Sequence, residues 1–143
     1  MSKLYDLDSY TEPFAPDKST WHELTIYRDY HACQYPDCYN DWGLVGHHLL
    51  TKGAYVRYMF LLCVGIALCP LCHTSVHNNL EKEQILLESC GLGSVILQLK
   101  AAYHGPESDI VEIARIAHSE RITYKVTKNP LIRRKVFRKE LFA

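Results

Sequence analysis

Cys33-Gln34-Tyr35-Pro36-Asp37-Cys38, then His47-His48, then Cys69-Pro70-Leu71-Cys72-His73-Thr74-Ser75-Val76-His77: these three short runs decide how the chain is read. They hold two cysteine pairs and four of the protein's eight histidines. Two well-separated cysteine pairs can fold together as four thiolates around one zinc, with bonds of about 2.3 Å. His73 and His77 are four apart, so on a helix they project from one face and can grip one ion. His47 or His48 arrives from the segment before. A structural zinc uses all its positions, whereas a catalytic ion keeps one open. Four cysteines and four histidines are too many for one site and fit two sites of unlike type. The simpler alternative is a zinc ribbon with incidental histidines, but a vicinal pair plus an i, i+4 pair beside a four-cysteine frame weighs against it.

Val45-Gly46-His47-His48-Leu49, followed by Gly65-Ile66-Ala67-Leu68-Cys69-Pro70-Leu71-Cys72-His73-Thr74-Ser75-Val76-His77, resembles an HNH endonuclease of the ββα-metal group, in the form framed by two zinc-binding cysteine pairs. The resemblance covers about a third of the chain. It implies His47 as metal ligand, His48 as the general base that takes a proton from water, and His73 and His77 as the remaining ligands. It implies a structural Zn2+ on Cys33, Cys38, Cys69 and Cys72, and a catalytic Mg2+, Mn2+, Ni2+ or Zn2+ on the histidines. Unlike roles for His47 and His48 agree with the alternation of side chains along a strand. Histidine suits the base because its ordinary pKa lies near neutrality. The implied reaction is hydrolysis of DNA phosphodiesters, leaving a 5′-phosphate. One position departs from the family: its middle Asn, nine before the helix histidine, is Val64 here. In the family that Asn braces the loop between the strands through backbone hydrogen bonds, and valine has no group to make them.

The chain has 143 residues and a formal net charge of zero, so composition alone does not point to nucleic acid. The distribution of charge does. Up to residue 32, Asp6, Asp8, Glu12, Asp17, Glu23 and Asp29 outnumber Lys3, Lys18 and Arg28. From Arg121 onward, Lys125, Lys128, Arg133, Arg134, Lys135, Arg138 and Lys139 join that arginine against Glu140 alone. A basic end of this kind is expected to meet a polyanion. The N-terminus lacks the order of a signal peptide, and the most apolar run, 59–68, is too short to span a membrane and contains Gly65. The expectation is a cytoplasmic protein of a prokaryotic or phage-infected cell, with cysteines as ligands rather than disulfides.

Residues 1–18 read as an irregular arm. Ser19 or Thr20 is placed to N-cap a helix running to about His31, with Trp21, Leu24 and Tyr27-Arg28 at helical spacing. The first strand is expected over 42–50, a short loop helix over 54–62 and the second strand over 63–68. Pro70 opens a helix that carries His73 and His77 and runs on to Ser89. Cys63 and Cys90 read as packed thiols outside the zinc set. Gly91 and Gly93 break the chain before helices over 94–103 and from Glu107 or Ser108 to about His118. Residues 122–127 alternate as a strand or extended arm, and 131–142 read as a basic amphipathic helix. Lys52, Arg57, Arg133, Arg134, Lys135 and Arg138 are candidate DNA contacts, whose phosphate pairing would be salt-dependent.

The expected fold is α+β: a small ββα-metal core on a four-cysteine zinc site, flanked by N-terminal and C-terminal helices. Its segments are an arm and helix (1–32), a zinc-framed nuclease core (33–90) and a helical extension with a basic tail (91–143). The helices of the extension suit either a homodimer interface or an accessory subdomain. The expected function is a metal-dependent DNA endonuclease. Its alternatives are a catalytically weak or inactive DNA-binding relative, for which Val64 is the argument, and a zinc module that binds protein.

Overall fold

A computed structural model of the chain describes residues 12–38 and 40–128, with side chains as far as residue 120. At its centre lies an antiparallel ribbon of two strands, β1 (Val45–His48) and β2 (Gly65–Leu68). Val45 faces Leu68, Gly46 faces Ala67, His47 faces Ile66 and His48 faces Gly65. β2 runs through Cys69 into helix α2 (Pro70–Val76), which Pro70 opens from its first turn. The mixed α+β class expected from the sequence is present. Both strands are shorter than expected. Gly43 turns the chain at φ 62° against Pro70, and Cys63 and Val64 belong to a 3-10 turn, Leu62–Val64.

Helix α1 (Lys18–Arg28) covers one face of the ribbon. Its N-cap is Asp17, two or three residues earlier than expected: the carboxylate accepts from the Thr20 amide at 2.8 Å. It stops at Arg28, short of His31, because Tyr30 and His31 both take left-handed backbone. Trp21, Leu24, Thr25 and Arg28 form the buried stripe at i, i+3, i+4 and i+7, whereas Tyr27 points outward. The fully buried Trp21 indole lies on the ribbon where β1 and β2 have glycine. A Cβ on Gly46 would come within 2.5 Å of its Cζ3, and one on Gly65 within 2.5 Å of its Cζ2. Neither glycine is there for a special φ; both are there so that the indole can approach.

Arg28 and Asp29 fill the outer edge of β2. Both are buried and paired at 3.2 Å. The Arg28 guanidinium donates to the carbonyls of Leu62 (2.6 Å) and Gly65 (2.5 Å), and Asp29 accepts from the Ala67 amide at 2.7 Å. The Gln34 amide takes the Ala67 carbonyl at 3.0 Å. An unpaired sheet edge is thereby closed within the chain.

The 49–64 loop contains no helix of the expected length, only 3-10 turns at Val56–Tyr58 and Leu62–Val64. Outside partners hold its second half open. Leu61 bridges Phe14, its carbonyl accepts from the Trp21 indole at 3.0 Å, and the Leu62 amide donates to the Pro13 carbonyl at 2.9 Å. Three further helices follow: α3 (Leu80–Ser89), α4 (Gly93–Ala102) and α5 (Glu107–Lys128). The single helix expected from Pro70 to Ser89 is broken, because Asn78 adopts φ 59° and Asn79 caps α3 by accepting from the Lys82 amide at 3.1 Å. Helix α5 continues through 122–127, so that stretch is helical rather than extended, and His118 lies buried in mid-helix instead of at its end. The alternation of 122–127 needed a strand to pair with, and among the described residues the ribbon has only two. Leu86, Ile96, Leu99, Ile110, Ala114 and Ala117 join Ile66, Leu68 and Val76 in one buried core. Tyr58 ties the loop to α4 by donating to the Leu99 carbonyl at 2.5 Å. Among the described residues no single helix is long and apolar enough to cross a membrane. The basic stretch 131–142 lies outside the described residues.

Three substitutions test this packing by urea unfolding. Gly65→Ala forces the indole off the ribbon and is expected to cost about 1–3 kcal/mol, whereas Gly53→Ala, which meets nothing within 4 Å, stays within about 0.5 kcal/mol. Arg28→Leu leaves the buried Asp29 carboxylate without its arginine and is expected to cost about 3–5 kcal/mol; a loss under about 1 kcal/mol would show that the pair is not what holds α1 to β2.

Candidate metal centre

The first cysteine knuckle is shaped by the backbone. The Cys33 amide donates to the Asn40 carbonyl at 2.8 Å, the Cys38 amide to the Tyr35 carbonyl at 3.1 Å, and Asp37 takes φ 64° between them. The second knuckle is the start of α2, where Cys69 is the N-cap and its sulfur accepts from the Cys72 amide at 3.4 Å. Gln34 on Ala67 docks one knuckle beside the other. The four sulfurs consequently lie within 4.8 Å of one another. Four donors on one zinc at about 2.3 Å stand about 3.8 Å apart, and Cys38 Sγ and Cys69 Sγ are separated by 3.7 Å. All six cysteines are free thiols, and this separation is far beyond the length of a disulfide.

Electrostatics agree with a cation at that point. Burial, and to a lesser extent the Cys38 thiol, pushes Cys33 up to about 11; burial and the neighbouring sulfurs raise Cys72 as well. Burial opposes ionisation of Cys69 too, but hydrogen bonds from Asn40, Cys72 and Cys38 together outweigh it and bring the group down to about 6. The protein favours the Cys69 thiolate, whereas the raised Cys33 and Cys72 thiols need a divalent ion to lose their protons. The cluster can hold a structural metal such as zinc.

His47, buried on β1, has its ring centre 5.3 Å from that of His73. The two rings meet edge to face, 71° from parallel. His77 does not sit within the helix as the i, i+4 reading required. It is the C-cap of α2, exposed, with its ring 6.1 Å from that of His73. Among the described residues the four cysteines form the one group of three or more such side chains with donor atoms at metal-binding spacing. Burial, and then the neighbouring His47 and His77, holds His73 below the usual histidine range.

His48 goes to a different environment. Its ring is stacked on Trp21, 4.0 Å between centres and 8° from parallel, and Nε2 lies 2.9 Å from the Met59 carbonyl. A carbonyl only accepts, so Nε2 carries the proton and Nδ1 keeps the lone pair. Burial outweighs that hydrogen bond and pushes His48 down to about 4. Position 64 is a fully buried valine whose carbonyl accepts from the Leu49 amide at 2.9 Å.

Comparison of the chain with protein-family models, with curated proteins and with solved structures finds no match. Geometry therefore carries the reading of this site.

The candidate DNA contacts are dispersed. Lys52 is exposed on the loop after β1. The Arg57 guanidinium is engaged inside the protein, donating to the carbonyls of Tyr103 and Gly105 and to the Glu107 carboxylate at 3.0 Å. Arg133, Arg134, Lys135 and Arg138 lie outside the described residues. Three neighbours of the site escaped sequence reasoning: Asn40 on the Cys69 sulfur at 3.5 Å, Trp21 on His48, and Glu83 at 3.3 Å from His47 Nε2. A Cys-x4-Cys knuckle predicts a donor near a sulfur in general, but nothing in the spacing singles out Asn40.

The cysteine centre is tested by metal analysis of purified protein. Cys33→Ser and Cys72→Ser are each expected to lose the bound zinc and the cooperative thermal transition, because ligand binding and folding are linked. Cys90→Ser, a buried thiol at the end of α3, is expected to retain one zinc per chain.

Proposed function

We propose that the protein is a metal-dependent DNA endonuclease of the HNH, ββα-metal type, hydrolysing phosphodiester bonds. The observation that carries the reading is the divergence of two adjacent histidines on β1: His47 turns to His73 on α2, and His48 turns to Trp21 and the Met59 carbonyl. That division suits one ligand and one base. It occurs on a ribbon that continues into the helix bearing His73, beside a four-cysteine cluster, which is the arrangement the sequence resemblance implies.

In this reading Cys33, Cys38, Cys69 and Cys72 hold a structural zinc that replaces part of the core a short ribbon lacks. His47, His73 and His77 hold the divalent ion, whose chemistry when bound is to polarise the scissile phosphate and stabilise charge on the leaving oxygen. His48 takes the proton from the attacking water at Nδ1. Trp21 fixes the plane of its ring and Met59 fixes its tautomer, so the lone pair has one direction. Lys52 and the basic residues Arg133, Arg134, Lys135 and Arg138 supply phosphate contacts, and a homodimer would place two sites on one duplex. The setting is the cytoplasm of a prokaryotic or phage-infected cell.

A second reading, a catalytically inactive DNA-binding relative, draws on Val64. The family's loop-bracing side chain is absent, and bracing falls to Trp21 and to Arg28, which hold the Leu61 and Leu62 carbonyls.

A plasmid-cleavage assay with Mg2+, Mn2+ or Ni2+ beside His48→Ala decides between them. Cleavage that requires the ion and falls about 100-fold or more in His48→Ala is expected. Plasmid retarded but left uncut by both proteins under every ion would establish the binding module instead.

A further inference from the structure

We propose that Lys18 and His22 of α1 join Lys52 in a binding site for a DNA backbone phosphate beside His48. The inference rests on the DNA-binding part of the reading above and requires no ion at the histidines. Lys18 and His22 are four apart on α1, so they stand on one side of the helix. Lys52 comes from the loop four residues beyond His48 and is exposed.

His22 is partly buried and fixed at two points. Its Nδ1 accepts from the Gly46 amide of β1 at 3.1 Å, and its ring meets Trp21 edge to face with 5.2 Å between centres. Trp21 carries His48 on its face, so one indole sets both imidazoles in place. An Nδ1 that accepts an amide proton leaves the proton of the neutral ring on Nε2. Among the described residues that N–H has no acceptor. It is a donor of fixed direction at the edge of the ribbon.

The charges around it have one sign. Burial, and then the ammonium groups of Lys18 and Lys52, holds His22 below the usual histidine range. Lys52 and His22 also act against a proton on His48. The acids that neighbour α1's lysine and histidine in sequence are turned elsewhere. Asp17 caps the helix on the Thr20 amide, and Glu23 lies on the side shared with Ile26, His31 and Asp41. Cations gathered in this way repel one another and draw an anion to the space between them. A phosphodiester answers both features: its charge pairs with the two ammonium groups, and a non-bridging oxygen accepts from His22 Nε2.

The test is the binding of a fluorescein-labelled duplex to the zinc-loaded protein with no other divalent ion present, followed by anisotropy across a salt series. The proteins compared are the wild type, Lys18→Ala, Lys52→Ala, His22→Asn and Lys100→Ala, the last an exposed lysine on α4. Lys18→Ala and Lys52→Ala are each expected to lower the slope of log K against log salt by about 1, with affinity weakened about 10-fold. Asparagine keeps an acceptor for the Gly46 amide but withdraws the outer donor. His22→Asn is therefore expected to weaken binding about 10-fold with the salt slope unchanged. Lys18→Ala and Lys52→Ala proteins that bind as Lys100→Ala does, beside a wild type that binds well, would overturn the site and leave DNA binding standing. Unchanged affinity in His22→Asn would overturn it too, since the imidazole would then donate nothing. A wild type that does not bind the duplex at all would overturn the proposal together with the DNA-binding reading.

Discussion

Two strands of four residues cannot hold a ribbon together in water, since an isolated hairpin is marginal at best. Several separate contacts among the described residues clamp that ribbon. One end is gripped by the two cysteine knuckles, which the Gln34 backbone amide brings together by donating to the Ala67 carbonyl. One face is covered by the Trp21 indole, which reaches the backbone through the space left by Gly46 and Gly65. The free edge of β2 is occupied by Arg28 and Asp29. The clamps are of different chemical kinds, and none alone resembles an ordinary hydrophobic core. A buried ion pair is a costly way to finish a sheet edge, but here both partners also bond to backbone groups that would otherwise be stranded.

The same clamps separate the two histidines. Alternation along β1 sends consecutive side chains to opposite sides, and what waits on each side differs. α2 and α3 bring His73 and Glu83 to His47, whereas α1 brings an aromatic face to His48. Desolvation keeps the His48 imidazole neutral down to about 4. Two residues of one type thus acquire different chemistry from the helices that flank them.

The sequence was legible where chemistry is encoded by spacing. Paired cysteines, a vicinal histidine pair and Pro70 at a helix start all marked the ribbon, α2 and the thiol cluster, because each depends on residues close in the chain or on a donor set that serves little else. It was illegible where a residue's role depends on a distant partner. Arg28 looked like one charge on an amphipathic helix, yet it is buried 34 residues away from the Leu62 carbonyl it serves. Asn78 and Asn79 are ordinary polar residues until the first turns left-handed and the second becomes a cap, which divides one expected helix into two. The 54–62 stretch has helix-compatible residues, but Phe14, Trp21 and Pro13 outbid local hydrogen bonding at Leu61 and Leu62. The alternation of 122–127 suited a strand only in the absence of a helix already running into it.

The contact between Trp21 and His48 has an optical consequence. An indole in face contact with an imidazole at 4.0 Å lies close enough for its excited state to be quenched when the ring gains a proton, so the emission of Trp21 reads the state of His48. The second tryptophan, Trp42, is half exposed, whereas Trp21 is fully buried, and the emission of a solvated indole is expected further to the red. The residue that seats α1 on the ribbon therefore makes the site its own spectroscopic indicator, without any label attached to the protein.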